Sequence, residues 1–398
     1  MKILRIIYDW PPPWQGLAPH PYELTKAQVG LGHKFVIFCG HWPKAGQREK
    51  VDSVEFNTFV REPLPGTLTL TSSVFLFLYY LWWRFDKNHS VDLIHAHGHF
   101  AIWIYLYRFI LQKIFPHSRE LLTPLVVHFH NIAAERERAA EEKNMEVKSY
   151  SKWLSWPMEK FANMLAAKTA SACIFVSDEN KKNAVDLYKA DPNRCFVVES
   201  GVNPELFKPV GAEEKEKSRN ELSLDRLDRV IVNHGVMVER KNIHILIEAM
   251  KYLPNIYKLL LVGPGERDYL EKLNKMIDDL QLKDRIIRAG YTPYPQTPIA
   301  FQVSDLFVLP SSWEGFPKVV IQSLSCGTPA LVSGFKAQEE ITGLFYLESL
   351  EPEQIANQIR QIVENPVNVN RFFIESKYSW KRKALQVEEI YTKLVKLY

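Results

Sequence analysis

Cysteine is scarce in this chain: Cys39, Cys173, Cys195 and Cys326 are the only four in 398 residues, and no two form a C-x-x-C pair. Three of them lie in or beside apolar, strand-like runs, where buried thiols are usual. That distribution excludes a disulfide framework or a cysteine zinc site and points to a reducing compartment. Long apolar runs are lacking too. The most apolar stretch, Val74 to Trp83 (VFLFLYYLWW), falls well short of the ~20 residues that cross a bilayer. It reads first as a buried helix. The alternative is an interfacial helix, since aromatic residues dominate it and Arg84 and Lys87 lie just beyond. The first residues, MKILRIIYDW, are broken by Arg5 and Asp9 and read as a first strand, not a signal peptide. Charge of one sign is not in large excess either: 50 Lys and Arg against 46 Asp and Glu give +4. Such a balance tolerates an anionic ligand, and no nucleic-acid motif accompanies it. Internal repeats, low-complexity tracts and an Asp-x-Asp metal motif are also missing.

What is present is alternation. The length favours two domains, and 46% apolar with 24% charged residues can fill two cores. Strand candidates in the first half are Ile3-Tyr8, Lys34-Phe38, Leu93-His95, Leu125-Phe129, Cys173-Val176 and Cys195-Val198, with helical stretches between them. This is the pattern of a doubly wound α/β domain. Near Gly201 it gives way to a charged run, Glu213 to Arg229, which reads as a solvated helix and linker. A second set follows: Val230-Asn233, Lys258-Val262, Arg285-Arg288, Leu306-Leu309 and Ala330-Val332. The expected divisions are 1–205, 206–377 and a closing helix over 378–398.

Residues 305–334, DLFVLPSSWEGFPKVVIQSLSCGTPALVSG, carry the strongest signal. The apolar run Leu306 to Leu309 ends in Pro310-Ser311-Ser312. An acidic turn, Trp313-Glu314-Gly315-Phe316-Pro317, leads into a helical stretch, Lys318 to Ser325. Cys326-Gly327 closes it, and Ala330-Leu331-Val332 follows Pro329. This is a parallel βαβ unit. Ligands of such units sit at the carboxyl ends of the strands, where the next helix offers free N–H groups and a positive dipole that suit a diphosphate.

The segment resembles the signature of retaining glycosyltransferases of family 4, which have the GT-B fold. Glu314, Gly315, Phe316, Cys326, Gly327 and Pro329 match, while Gln322 stands where the family has a second Glu. The likeness continues along the chain. Gln15-Gly16-Leu17-Ala18-Pro19-His20 falls at the family's glycine loop, with only Gly16 of its glycine pair. Asp92-Leu93-Ile94-His95-Ala96-His97 and Val127-His128-Phe129-His130-Asn131 resemble two of its strand ends. Glu159 matches a helix residue, and Ser200-Gly201-Val202-Asn203 with Phe207 and Pro209 resembles the domain hinge. Gly235 to Asn242 resembles the phosphate-binding turn. Lys241 matches there, but Val236 occupies the family's Arg position; Arg240 either reaches inward to replace it or is a solvated surface residue. Gly263-Pro264-Gly265 and Gly290-Tyr291 follow the pattern. Lys336-Ala337 replaces a Gly-Gly before the matching Glu340-Ile341, and Tyr378-Ser379-Trp380 opens the closing element.

The resemblance implies two Rossmann-like doubly wound domains facing each other across a cleft, with a carboxy-terminal helix returning to the first. It implies a hexosyltransferase-like enzyme that moves a sugar, with retention, from a nucleoside-diphosphate sugar to a hydroxyl of a glycan, lipid-linked or small-molecule acceptor. Glu314 and His130 would stand at the transferred sugar. The donor would be bound by Gly16, Arg240, Lys241, Gly263, Tyr291, the turn Gly315, Phe316, Pro317, Lys318 and Val319, and Gln322, whose amide replaces a carboxylate at the ribose. Charge at the diphosphate matters because the leaving group gains negative charge in the transition state. The leaving phosphate would take the acceptor proton. No metal and no cofactor is expected beyond the nucleotide sugar, which is a substrate. The expected location is cytoplasmic, or peripheral at the inner face of a membrane. Two other readings stand beside this one. The departures at Val236, Gln322 and Lys336-Ala337 suit a weak or inactive partner subunit. Histidines spaced by two (His95, His97, His99; His128, His130) share one strand face, as in metal-dependent hydrolases.

Overall fold

Strand and helix alternate along the chain of this computed structural model, which describes residues 1–14, 16–42, 46–60, 71–86, 89–142 and 151–397. Two units form. The first is Met1–Ser200 together with the chain from Trp380 on, and the second is Gly201–Ser379.

In the first unit, seven strands among the described residues form one parallel sheet: β1 Lys2–Ile7, β2 Lys34–His41, β3 Val54–Val60, β4 Leu93–His97, β5 Leu125–Phe129, β6 Ala172–Phe175 and β7 Cys195–Val197. Their order is β3-β2-β1-β4-β5-β6-β7, so the winding reverses between β1 and β4. The central strands are apolar on both faces because helices cover both. On one face Leu4, Ile6, Val36 and Ile94 pack against Leu76, Tyr80 and Trp83 of the helix Ser72–Phe85. On the other, Ile3, Ile7, Leu93 and Val126 pack against the helices Pro19–Val29 and Trp380–Val395. The latter buries Trp380, Ala384, Val387, Tyr391 and Leu394, a helical stripe on the first unit.

The apolar stretch at Val74 to Trp83 lies in a helix that is buried on one side only. The helix Ser72–Phe85 buries Leu76, Tyr80 and Trp83, yet Phe75, Leu78, Trp82 and Phe85 are exposed on its other side. Arg84 is engaged: its Nε donates to Glu120 Oε2 at 2.9 Å. Lys87 lies outside the described residues, and no helix among them is long and apolar enough to cross a membrane.

The second unit holds six parallel strands among the described residues: β8 Arg229–His234, β9 Tyr257–Val262, β10 Ile286–Gly290, β11 Leu306–Leu309, β12 Ala330–Val332 and β13 Leu344–Tyr346. They run β10-β9-β8-β11-β12-β13, reversing between β8 and β11. Its core joins Ile231, Leu259, Leu261, Leu306 and Val308 to helices Ile243–Ala249, Arg267–Asp279 and Pro352–Glu364. The charged run is part helix, as its reading as a solvated helix and linker expected, but it is not solvated throughout. It is helical over Ala212–Glu221, and Arg219 is buried, with Nη2 donating to Asp305 Oδ2 at 3.0 Å and Nε to Val303 O at 2.9 Å. Its Nη1 also donates to Arg226 O at 3.3 Å and to Asp228 O at 3.1 Å, and these four bonds staple the helix to the sheet.

Candidate active site

In the second unit, the carboxyl ends of β8, β9 and β12 are built on glycine. β8 ends at His234, and Gly235 follows with φ +135°. A Cβ on Gly235 would lie 2.3 Å from Lys241 Nζ, so the ammonium rests directly against backbone. Gly263, at φ +130°, follows the last residue of β9; a Cβ there would stand 2.1 Å from Gly235 O. L side chains rarely adopt such angles, and here the space refuses them as well.

Lys241 is buried, and burial pulls its pKa below the ordinary lysine range, with Glu314 opposing that shift and Arg240 adding to it. Arg240 is not a solvated surface residue. Its Nη1 donates to Glu314 Oε1 at 2.8 Å and to Trp313 O at 3.0 Å, and its guanidinium lies 4.8 Å from the Trp313 ring centre. Ser311 Oγ donates to the same Oε1 at 2.9 Å. Asn242 takes a left-handed conformation, φ 50°, and its Nδ2 donates to Pro310 O at 2.9 Å and to Ser312 Oγ at 3.1 Å. Ser312 N in turn donates to Arg240 O at 2.8 Å. The turn 239–242 and the turn 310–314 are thus laced into one rigid piece. Glu314 N donates to Gly334 O at 2.6 Å. A Cβ on Gly334 (φ +74°) would meet Ser311 O at 2.4 Å.

The helix Lys318–Ser325 starts just after Pro317, and its amino-terminal, positive dipole end lies beside the Glu314 turn. Gln322 is buried on that helix. The Phe316 side chain packs on Tyr378 (ring centres 5.8 Å apart) and Phe335 (5.6 Å). Tyr291 follows Gly290 at the end of β10 and is half exposed, while Val236 is exposed.

The first unit presents a group of histidines. β4 and β5 pair with His97 opposite His128. Side chains alternate along a strand, so Arg5, His95, His97, His128 and His130 share the face covered by helices Pro19–Val29 and Trp380–Val395. His20 joins them from the first of these helices. His97 Nδ1 and His130 Nε2 are hydrogen-bonded at 3.0 Å. The His128 and His130 rings stack at 4.7 Å, and His20 crosses His130 at 81°. Arg5 donates to Gln28 Oε1 at 2.5 Å and lies 3.2 Å from His95 Nδ1. Burial, and secondly the charge of Arg5, pull His95 well below the ordinary histidine pKa and His128 down to about 3. Burial followed by the neighbouring His95 and His128 does the same to His97. His95, His97 and His128 are therefore neutral at pH 7. His99 does not belong to it: β4 stops at His97, Gly98 turns at φ +64°, and His99 stacks on Tyr8 at 5.4 Å. Gly16, at φ +59°, lies against the Asp9 carboxylate, which a Cβ would approach to 3.0 Å. Its neighbour Gln15 lies outside the described residues.

Residues 14–206 match the family model described as Glycosyltransferase Family 4, and residues 214–380 match the model for glycosyl transferases group 1. The chain belongs to the family 4 type of GT-B glycosyltransferases. This glycosyltransferase is 29% identical over 294 residues to the UDP-Gal:alpha-D-GlcNAc-diphosphoundecaprenol alpha-1,3-galactosyltransferase of Escherichia coli, covering 71% of this chain and 68% of that one. It is 25% identical to an uncharacterized glycosyltransferase of Methanocaldococcus jannaschii, covering 98% of both. Among solved structures, HepE of Anabaena in complex with UDP and glucose superposes with a TM-score of 0.73 at 18% identity, covering 99% of this chain and 100% of the other.

Of the residues singled out from sequence, the glycosyltransferase places Arg240, Lys241, Gly263 and Glu314 within one hydrogen-bonded and sterically interlocked group. Gly315 to Val319 and Gln322 follow directly on the same turn and helix. Gly16 and His130 lie in the first unit. Two neighbours of the site escaped sequence reading. Ser311 anchors Glu314. His234 carries two buried ring nitrogens without a hydrogen-bond partner among the described residues, and burial with nearby Lys241 lowers its pKa to about 3. The only available signal for His234 was a polar residue ending an otherwise apolar strand.

Proposed function

We propose that this glycosyltransferase moves a sugar from a UDP-sugar to a hydroxyl of a lipid-linked acceptor, with retention of configuration and without a metal cofactor. The observation that carries the reading is the interlocked group Arg240, Lys241 and Glu314 at the strand ends beside the helix Lys318–Ser325. Lys241 and the helix amides supply positive charge where a departing diphosphate gains negative charge, which is the work a metal does in other transferases. Glu314, fixed by Arg240 and Ser311, receives the hydroxyls of the transferring sugar and sets its orientation. Gln322 pairs with the ribose. The acceptor hydroxyl attacks the anomeric carbon on the face the diphosphate leaves, and its proton passes to the leaving phosphate oxygen. His130, in the first unit, orients a hydroxyl.

Uridine as the base and a lipid-linked acceptor are supported by the named activity of the Escherichia coli relative. The acceptor class has a second support. Phe75, Leu78, Trp82 and Phe85 form an exposed apolar stripe on the helix Ser72–Phe85, and Ile110, Ile114, Phe115 and Lys113 lie exposed at the helix Ile102–Ile114 and just past its end. Trp103 Nε1 donates to Ser73 Oγ at 3.0 Å, joining the two helices. An apolar stripe with a lysine beside it suits the boundary of a lipid surface, where the protein would remain peripheral on the cytoplasmic side.

The test is a mass-spectrometric screen of UDP-sugars with polyprenyl-diphosphate-linked saccharides, run with and without EDTA. A glycosylated lipid carrying an α-linkage from an α-linked donor, formed equally in EDTA, is expected. Absence of transfer and of slow donor hydrolysis for every nucleotide sugar would reject the reading. It would favour a second one, a non-catalytic partner subunit, for which exposed Val236 at the family's Arg position is the specific observation.

A further inference from the structure

Three members of the histidine group of the first unit, His95, His97 and His128, keep buried ring nitrogens unpartnered among the described residues. Nε2 of His95, Nε2 of His97 and both ring nitrogens of His128 are buried without a hydrogen-bond partner among the described residues. Buried polar atoms are seldom left so, because desolvation is then uncompensated. Glycosyl transfer as proposed uses only His130. We infer that His20, His97 and His130 form a binding site for a transition-metal ion of the zinc, cobalt, nickel and copper class.

Geometry selects this trio. Its ligand atoms all lie within 4.8 Å of one another. His97 Nδ1 and His130 Nε2 are 3.0 Å apart; two nitrogens bound at 2.0–2.1 Å to a tetrahedral ion stand about 3.3 Å apart. A metal lies in the plane of each imidazole it binds. The His97 and His130 planes differ by only 11° while their rings meet edge to edge through that hydrogen bond. His20 crosses them at 71° and 81°, so all three planes can share one point near the junction. The second trio, His95, His97 and His128, satisfies the same distance limit. Its planes lie within 21° of parallel at ring separations of 4.5 to 5.6 Å, and stacked rings cannot aim at one atom.

The remaining features fit. Ser200 Oγ lies 3.4 Å from His20 Nδ1, the outer contact that orients a metal-binding imidazole through its other nitrogen. Three imidazoles leave one position open in a tetrahedral ion. The open side is at His130, the trio's only incompletely buried member. An all-nitrogen set prefers zinc, cobalt, nickel or copper over magnesium, calcium or manganese. On binding, the proton in the His97–His130 contact moves to the far nitrogen of its own ring, so the imidazoles stay neutral and no net proton is released. The ion occupies a ring nitrogen of His130, so it acts as an inhibitor of transfer and not as its cofactor. That last clause alone rests on the role proposed for His130.

Cobalt(II) titration of chelator-treated protein tests the site without donor or acceptor, so its failure leaves the transferase reading untouched. One equivalent is expected to give the intense visible bands of a tetrahedral site, which one equivalent of zinc then removes. His130→Gln and His20→Gln are expected to lose those bands, with circular dichroism unchanged. His117→Gln, an exposed histidine elsewhere, is expected to keep them. Should the variants fail to fold, X-ray absorption of the zinc-loaded wild type is expected to count three imidazoles. No uptake, weak octahedral bands, fewer than three imidazoles, or full binding by folded His130→Gln would each overturn the inference.

Discussion

Arg240 Nη1 stands 2.8 Å from Glu314 Oε1, and the two residues come from turns 74 positions apart. The contact engages Arg240 with Glu314 and with the Trp313 carbonyl. On the function proposed above, Arg240 holds the carboxylate that would meet the sugar, and the diphosphate would be left to Lys241 and the helix amides.

Glu314→Ala is expected to lower kcat/KM by roughly 30- to 1000-fold, or ~2–4 kcal/mol of transition-state stabilisation. Gln322→Ala is expected to raise the donor KM with little change in kcat, because ribose contacts are equally present in ground and transition states. Steady-state kinetics on both variants checks this. Equal, small effects would mean that the signature turn only holds the fold here.

Val236→Arg is expected to tighten UDP binding by roughly tenfold or more, each tenfold being about 1.4 kcal/mol. The exposed valine leaves room for it, and Arg240 is already committed to Glu314. Arg240→Ala is expected to reduce kcat more than it weakens UDP binding, since it loosens Glu314. Calorimetric titration paired with kinetics separates the two. UDP binding to neither the wild type nor Val236→Arg, with both folded, would point to the partner-subunit reading.

The buried histidines predict acid sensitivity. The folded pKa of His128 is about 3, against 6.5 for a free histidine. Between those values the unfolded chain binds more protons, so stability falls as pH drops through that window, by up to about 1.4 kcal/mol per pH unit for each such group. His95 and His97 shift in the same direction and add to the slope. The wild-type melting temperature is expected to drop clearly between pH 7 and pH 5, and less steeply in His128→Asn. Equal slopes would show that His128 does not titrate on unfolding in this range.

Trp82→Ser combined with Phe75→Ser is expected to abolish sedimentation with anionic phospholipid vesicles while leaving the melting temperature unchanged or higher, because both side chains are exposed. Lipid binding that persists in this double variant would remove the apolar stripe from the proposal.

Much of this was legible before any coordinates. The central strands of both sheets read correctly because they are covered on two faces and therefore uniformly apolar. β3 (VEFNTFV) alternates, mixes polar residues and sits at the sheet edge, and β13 (LFY) is a short, incompletely buried edge strand; neither carries a pattern strong enough to read. The turn at Glu314 was visible through its glycine, prolines and spacing. The roles of Arg240 and Arg219 were not, because a charged residue in a polar run looks solvated until its distant partner is placed. Likewise, H-x-H on two strands was plain, but nothing local reveals that β4 and β5 are neighbours or that His20 arrives from a helix far up the chain.

The glycines at the strand ends have a consequence for how this enzyme can change. Gly235, Gly263 and Gly334 each stand where one added carbon would strike backbone or the Lys241 ammonium. These strand ends therefore admit almost no variation without collapse of their shape. Val236 and Tyr291, whose side chains are exposed, do not carry that steric limit. With the donor bound here as proposed, a change of sugar preference, natural or engineered, is to be sought at such exposed positions, while the glycine strand ends pass unaltered from one specificity to the next.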